Sequence, residues 1–167
     1  MELDATFIGG QNEGIYQTAQ RLVRGNIGEN LATWALAAMG HEILYFKPSI
    51  LGTNQGGIDM VTMFNGCLYL IDNKALSRSG NISSVSALTY NLNQNLATMR
   101  AAFQVALNTP NISANQTALW TAAIKAIDAH NFVRAVTNAN IVRGSTNITS
   151  GVTTGLQNQG IVFINLF

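Results

Sequence analysis

Asn65-Gly66 stands between two apolar, β-branched runs, Ile58 to Phe64 and Cys67 to Ile71. This dipeptide favours a two-residue type I′ turn, because both central positions need positive φ and Asn and Gly accept it. A hairpin closed there puts Phe64 opposite Cys67, and counting outward puts Asp59 opposite Asp72. Opposed residues of an antiparallel pair have Cβ atoms about 4.5–5.5 Å apart, where like charges are destabilising. Side chains alternate along a strand, so Lys74 shares a face with Asp72, and Asp59 joins that face from across the hairpin. The same face continues as Val61, Met63, Leu68 and Leu70, which predicts a core-facing strip with a charged end at one edge of a sheet.

Only 10% of the chain is charged, and Asn, Gln, Ser and Thr do the solubilising instead. Two carboxylates at the margin of an apolar face repel each other and are costly to desolvate unless something neutralises them. Lys74 offsets one charge. A divalent cation offsets both, and Mg²⁺ or Mn²⁺ prefers carboxylate oxygens, with Zn²⁺ the weaker candidate. The competing reading is a purely structural Asp–Lys cluster.

With 167 residues, 47% of them hydrophobic, the chain can build one core. The expected organisation is a flexible leader over residues 1–10 and a single domain over 11–167. No apolar run reaches the ~18 residues of a membrane span, and the N-terminus does not resemble a signal peptide. The sole cysteine, Cys67, excludes an internal disulfide framework or a cysteine zinc cluster and is expected to pack within its strand. Charge is divided unevenly: residues 1–75 carry four Lys/Arg against seven Asp/Glu, and residues 76–167 carry five against Asp128 alone. One reading is chance; the other is a basic second half that guides a polyanion toward a carboxylate site in the first.

Helical spacing of Ile15, Ala19, Leu22, Val23 and Ile27 predicts a helix interrupted by Gly25 and Gly28. A second helix follows over ENLATWALAAM, ended by Gly40. HEILYFK reads as a strand closed by Pro48, and the hairpin comes next. Val85, Leu88, Leu92, Leu96, Met99, Phe103 and Leu107 form one stripe, which predicts a single long amphipathic helix. Ser113 is the expected N-cap of a helix over LWTAAIKAIDAH. NFVRAVTNANIV reads as a strand, residues 143–160 as a mobile loop or two weak strands, and GIVFINLF as a buried strand. The expected class is α/β or α+β, with helices on a mixed sheet in the order α-β-β-β-α-α-β-β.

Gly57-Ile58-Asp59, followed by Asp72-Asn73-Lys74, resembles the active-site signature of the PD-(D/E)xK nuclease superfamily. The resemblance spans roughly residues 25–105 and implies a restriction-endonuclease-like core. Gly57-Ile58 replaces the proline of the family name, and Asp72 replaces the more frequent Glu. Glu29, within Gly25-Asn26-Ile27-Gly28-Glu29, is similar to the first-helix glutamate of many members. The resemblance implies catalytic roles for Glu29, Asp59, Asp72 and Lys74. It implies one or two divalent ions held by Asp59, Asp72, the Asn73 carbonyl and Glu29, with Lys74 stabilising phosphorane charge or orienting the attacking water.

Lys47, Arg78, Arg134 and Arg143 are candidate nucleic-acid contacts. Tyr45, Tyr69 and Tyr90 are weighed between base stacking and packing, the latter preferred for the first two, and Trp34 and Trp120 are expected in the core. His41 and His130 would have to meet to serve a metal-free ribonuclease; otherwise each is a helix cap or a half-buried ring. The near-neutral, asparagine-rich profile is similar to C-terminal toxin domains of bacterial polymorphic and contact-dependent growth inhibition systems. That resemblance implies delivery on a larger toxin, action in the cytoplasm of a target bacterium, tRNA somewhat ahead of DNA as substrate, and a cognate immunity protein. The alternatives are a stand-alone DNA endonuclease of restriction or resolvase type and an inactive binding domain.

Overall fold

The computed structural model describes residues 27–47, 57–74, 81–89, 92, 96–138 and 147–166. The leader, the stripe from Ile15 to Val23, Pro48, Arg78, Tyr90 and Arg143 lie outside them. Helix α1 covers residues 27–38. Three strands follow: β1 (Glu42–Phe46), β2 (Met60–Phe64) and β3 (Cys67–Lys74). After the short β4 (Asn81–Ile82) and α2 (Ser86–Thr89) come α3 (Leu96–Leu107), α4 (Ala114–Asp128) and β5 (Phe132–Asn138). The chain continues through β6 (Asn147–Ile148), α5 (Ser150–Asn158) and β7 (Ile161–Asn165).

Among the described residues, five strands form one mixed sheet in the order β1-β2-β3-β5-β7, and β4 pairs with β6 in a separate parallel ribbon. β1, β2 and β3 are antiparallel neighbours, whereas β3, β5 and β7 are mutually parallel. Helices cover both faces, so the coarse α+β expectation holds. Asn65 at φ 49° and Gly66 at φ 76° form the expected hairpin turn, with Phe64 paired to Cys67 and Met60 to Ile71.

The two faces follow from strand alternation. Val61, Met63, Leu68 and Leu70 pack against Met99 and Phe103 of α3 and Ala123, Ile124 and Ile127 of α4. Further along that face, Val136 and Ile161 meet Leu88, Leu92, Val152 and Leu156. On the opposite face, Met60, Ile71 and Ala135 lie under Ala32 and Leu36 of α1. Leu36, Met60, Leu70 and Ile71 are fully buried, and each such side chain contributes about 1.5–3 kcal/mol of apolar transfer free energy.

Local chemistry sets the helix ends. Gly40, at φ 94°, lets the His41 N–H bond the Leu36 carbonyl and its own N–H the Ala37 carbonyl, closing α1 so that β1 can begin. Ser113 caps α4 as expected, with a reciprocal capping box to Gln116. Arg100 and Asp128 make a two-pronged surface contact between α3 and α4.

Several expectations are corrected. Helix α1 runs through Gly28 rather than starting after it. The stripe from Val85 to Leu107 is not one helix: α2 ends at Thr89 and α3 begins at Leu96. Leu92, between them, lies in a 3₁₀ turn. Residues 150–158 form α5 instead of a loop or strands, held by Val152 and Leu156 in the core. Together with β4, α2 and β6, α5 changes the expected element order. β7 is the sheet's last strand, and Val162 is 45% exposed. Trp34 is 72% exposed on α1, because Ala32 and Leu36 are the residues that face the sheet. Cys67, beside the turn, is exposed rather than packed.

Candidate functional site

Strand order determines where the charged residues meet. β1, β3, β5 and β7 run in one direction, so Lys47, Lys74, Asn138 and Asn165 all lie at their C-terminal edge. β2 runs the other way, so Asp59, immediately before it, arrives at the same edge. Such edges are where open α/β sheets place their ligands. Buried polar side chains gather here: Asp59, Asp72, Asn73, Thr137 and Asn138.

Asp59 is anchored at both ends of the residue. Its N–H donates to the Ile71 carbonyl at 3.0 Å, and its carbonyl accepts from the Lys47 N–H at 2.8 Å. Its side chain accepts from the Asn73 N–H at Oδ2, 2.8 Å away. Lys47 Nζ lies 3.5 Å from Asp59 Oδ1. On the neighbouring strand Lys74 Nζ lies 2.6 Å from Asp72 Oδ2, and the Asp72 side chain is wholly shielded from solvent. Gly57, at φ 131°, turns the chain into this segment with a conformation that a side chain would strain.

The electrostatics follow from burial. Asp59 is pushed up to about 7, first by desolvation, then by the negative charge of Asp72 and a hydrogen bond shared with it; the Asn73 N–H and Lys47 oppose the shift. Burial beside a second carboxyl group thus favours the protonated form of Asp59. Burial, then the Asp59 charge, raises the Tyr45 phenol, which places Tyr45 in the field of the same cluster.

These groups suit a hard divalent cation. Two adjoining carboxylates are the donor set with which Mg²⁺ is commonly held, the remaining positions being water and phosphate oxygens. Among the described residues, no group of three or more His, Cys, Asp or Glu side chains is gathered for a metal. Glu29 lies in the first turns of α1, half-buried; its carbonyl accepts from Thr33, and Thr33 also touches Met60 Sδ at 3.2 Å. The cluster is therefore Lys47, Asp59, Asp72 and Lys74, without Glu29 as a third acid.

Asn73 points its side chain to the other face, where Oδ1 accepts from Thr137 at 2.8 Å. Its Nδ2 is buried with no hydrogen-bond partner among the described residues. Arg134 donates to the Gln159 carbonyl at 2.8 Å, just before β7 and so at the opposite edge of the parallel strands from the carboxylates. Tyr45, Tyr69 and Trp120 pack half-buried against the cores.

The two histidines are engaged separately. His41 is buried, stacked on Phe64 at 4.5 Å, and its Nδ1 meets Thr62 Oγ1 at 2.8 Å. Desolvation lowers its pKa. His130 occupies the position after the α4 cap at φ 52°, its N–H bonding the Ile127 carbonyl. It is a helix terminator, as one of the two sequence readings expected.

Sequence reasoning missed Thr137 and Asn138, although FVRAVTN carries a signal: an apolar strand ends on two polar residues. Parallel pairing sets them beside Asn73 and Lys74, and Asn138 Oδ1 accepts from the Leu166 N–H at 3.2 Å. The sequence places Lys47 at the same edge as Asp59 and reads it as a phosphate contact; its pairing with the Asp59 carboxylate is added by the structure. No family model, curated protein or solved structure matches this chain.

Proposed function

We propose that this domain is a metal-dependent endonuclease that hydrolyses phosphodiester bonds. The observation supporting the reading is one arrangement: two facing carboxyl groups, one wholly buried, with the Lys74 ammonium 2.6 Å from the buried one. Lys74 and Lys47 compensate these carboxylates in the free domain, and a divalent cation would compete with the two ammonium groups for the same oxygens.

Asp59, Asp72 and the Asn73 carbonyl would hold the cation. When bound, such an ion lowers the pKa of its water and polarises a phosphoryl oxygen. The chain's own groups do the rest. Burial of Asp72 and the Asn73 N–H on Asp59 fix both carboxylates in place. Lys74 stabilises charge building on the phosphoryl oxygens, or orients the water whose oxygen bonds phosphorus as the bond to the leaving oxygen breaks.

By resemblance alone, the domain is read as a toxin module carried by a larger secreted or surface protein and acting in a target bacterium's cytoplasm. Its substrate is then tRNA ahead of DNA, and its partner in the producer is a cognate immunity protein. The experiment is incubation with total tRNA and with plasmid, in Mg²⁺, in Mn²⁺ and in EDTA, read on gels. Metal-dependent tRNA cleavage with intact plasmid supports this reading, and the converse supports a DNA endonuclease. Intact nucleic acid under every condition supports a binding domain, in which the Asp–Lys cluster is structural.

A further inference from the structure

The two lysines hold their carboxylates differently. Lys74 is 2.6 Å from Asp72, whose side chain is fully shielded; Lys47 is 3.5 Å from Asp59, whose side chain retains 7% exposure. The Lys47 side chain is itself 19% exposed. Its backbone N–H is fixed on the Asp59 carbonyl at 2.8 Å, which keeps the base of its four-carbon stem beside the cluster. Asp59 is therefore the carboxylate that solvent reaches, and Lys47 stands over it.

Charge accounting gives this placement a consequence. With both aspartates ionised, as a bound dication requires, the two aspartates and two lysines sum to zero, so the dication is repelled by the ammonium nearest its path. A phosphodiester arriving with the dication brings back negative charge and gives that ammonium a new partner. Resting on the nuclease reading, we infer that Lys47 is a resident counter-ion of Asp59 that a divalent cation displaces, and that the displaced ammonium then binds a non-bridging oxygen of the substrate phosphate. Lys47 is thus a positioning residue for the cation and a contact for the substrate. It makes their binding mutually reinforcing, because each removes a cost that the other would meet alone.

The test uses the whole chain as wild type, Lys47→Gln and Lys47→Arg, with unfolding in EDTA checked by circular dichroism. Calorimetric titration with Mn²⁺ alone reads the first half. Lys47→Gln should bind Mn²⁺ on the order of tenfold tighter than wild type, because a like charge beside the ion is gone, and Lys47→Arg should resemble wild type. The second half is read at saturating Mn²⁺, where Lys47→Gln should raise KM for nucleic acid and Lys47→Arg should restore it. Wild-type binding of Mn²⁺ with Lys47→Gln binding no tighter overturns the counter-ion role and leaves the nuclease reading standing. Mn²⁺ bound by none of the three proteins overturns both.

Discussion

The Asn73 N–H donates to Asp59 Oδ2 at 2.8 Å, joining residues fourteen apart in sequence. The bond fixes the Asp59 carboxyl against β3, beside Asp72. Asp59→Asn keeps an oxygen for that N–H, whereas Asp59→Ala leaves a buried donor without an acceptor. Urea unfolding in EDTA at pH 6 should find the Ala variant less stable than the Asn variant by about 1–3 kcal/mol.

Asp59 also sets a pH dependence. Its folded value, about 7, lies above the ordinary 3.8, so the folded state holds the proton more tightly. Its stabilising contribution is full below the ordinary value and is lost as pH rises through about 7. In EDTA, wild type should lose stability relative to Asp59→Asn between pH 5 and pH 8. Mg²⁺ competes with the proton, so the stabilisation it adds should be larger at pH 8 than at pH 6. A cation present at 100 times its Kd adds about 2.7 kcal/mol.

His41 acts in the opposite direction. Burial lowers its pKa, so the folded state prefers the neutral ring stacked on Phe64 and bonded to Thr62. Its contribution is full above 6.5 and is lost as pH falls through the lower folded value. Urea midpoints from pH 7 to pH 5 should fall more for wild type than for His41→Gln, and cleavage at pH 7.5 should be unchanged by the substitution.

Ser113→Ala serves as a control remote from the carboxylates. Loss of the capping box with Gln116 should cost about 1 kcal/mol by urea unfolding, with no change in cleavage.

What was legible in the sequence was local. Asn65-Gly66 and strict alternation set the hairpin register and so the facing of Asp59 and Asp72; Ser113 and Gly40 marked helix ends through their own chemistry. Tertiary partners were not legible. Trp34 lies on an apolar-looking helix but points outward, because α1 faces the sheet through Ala32 and Leu36. Val85 to Leu107 read as one stripe, since Leu88 and Leu92 keep helical spacing with Met99 and Phe103. The first two pack under α5 and the last two against the β2–β3 hairpin, in two separate clusters. The arrival of Lys47 at the edge of Asp59 is legible from its place at the end of a strand, but its ion pair there, and Thr137 with Asn138 beside Asn73 and Lys74, depend on strand order, which no local pattern encodes.

The most direct test is Mg²⁺-dependent cleavage of tRNA and plasmid, measured side by side for wild type, Asp59→Asn, Asp72→Asn and Lys74→Met. Circular dichroism would confirm that each variant is folded. Each substitution should lower the rate on the preferred substrate by at least about 10²–10³-fold, with native-like spectra retained. Variants that cleave at the wild-type rate would contradict the assignment of these three residues to phosphodiester hydrolysis.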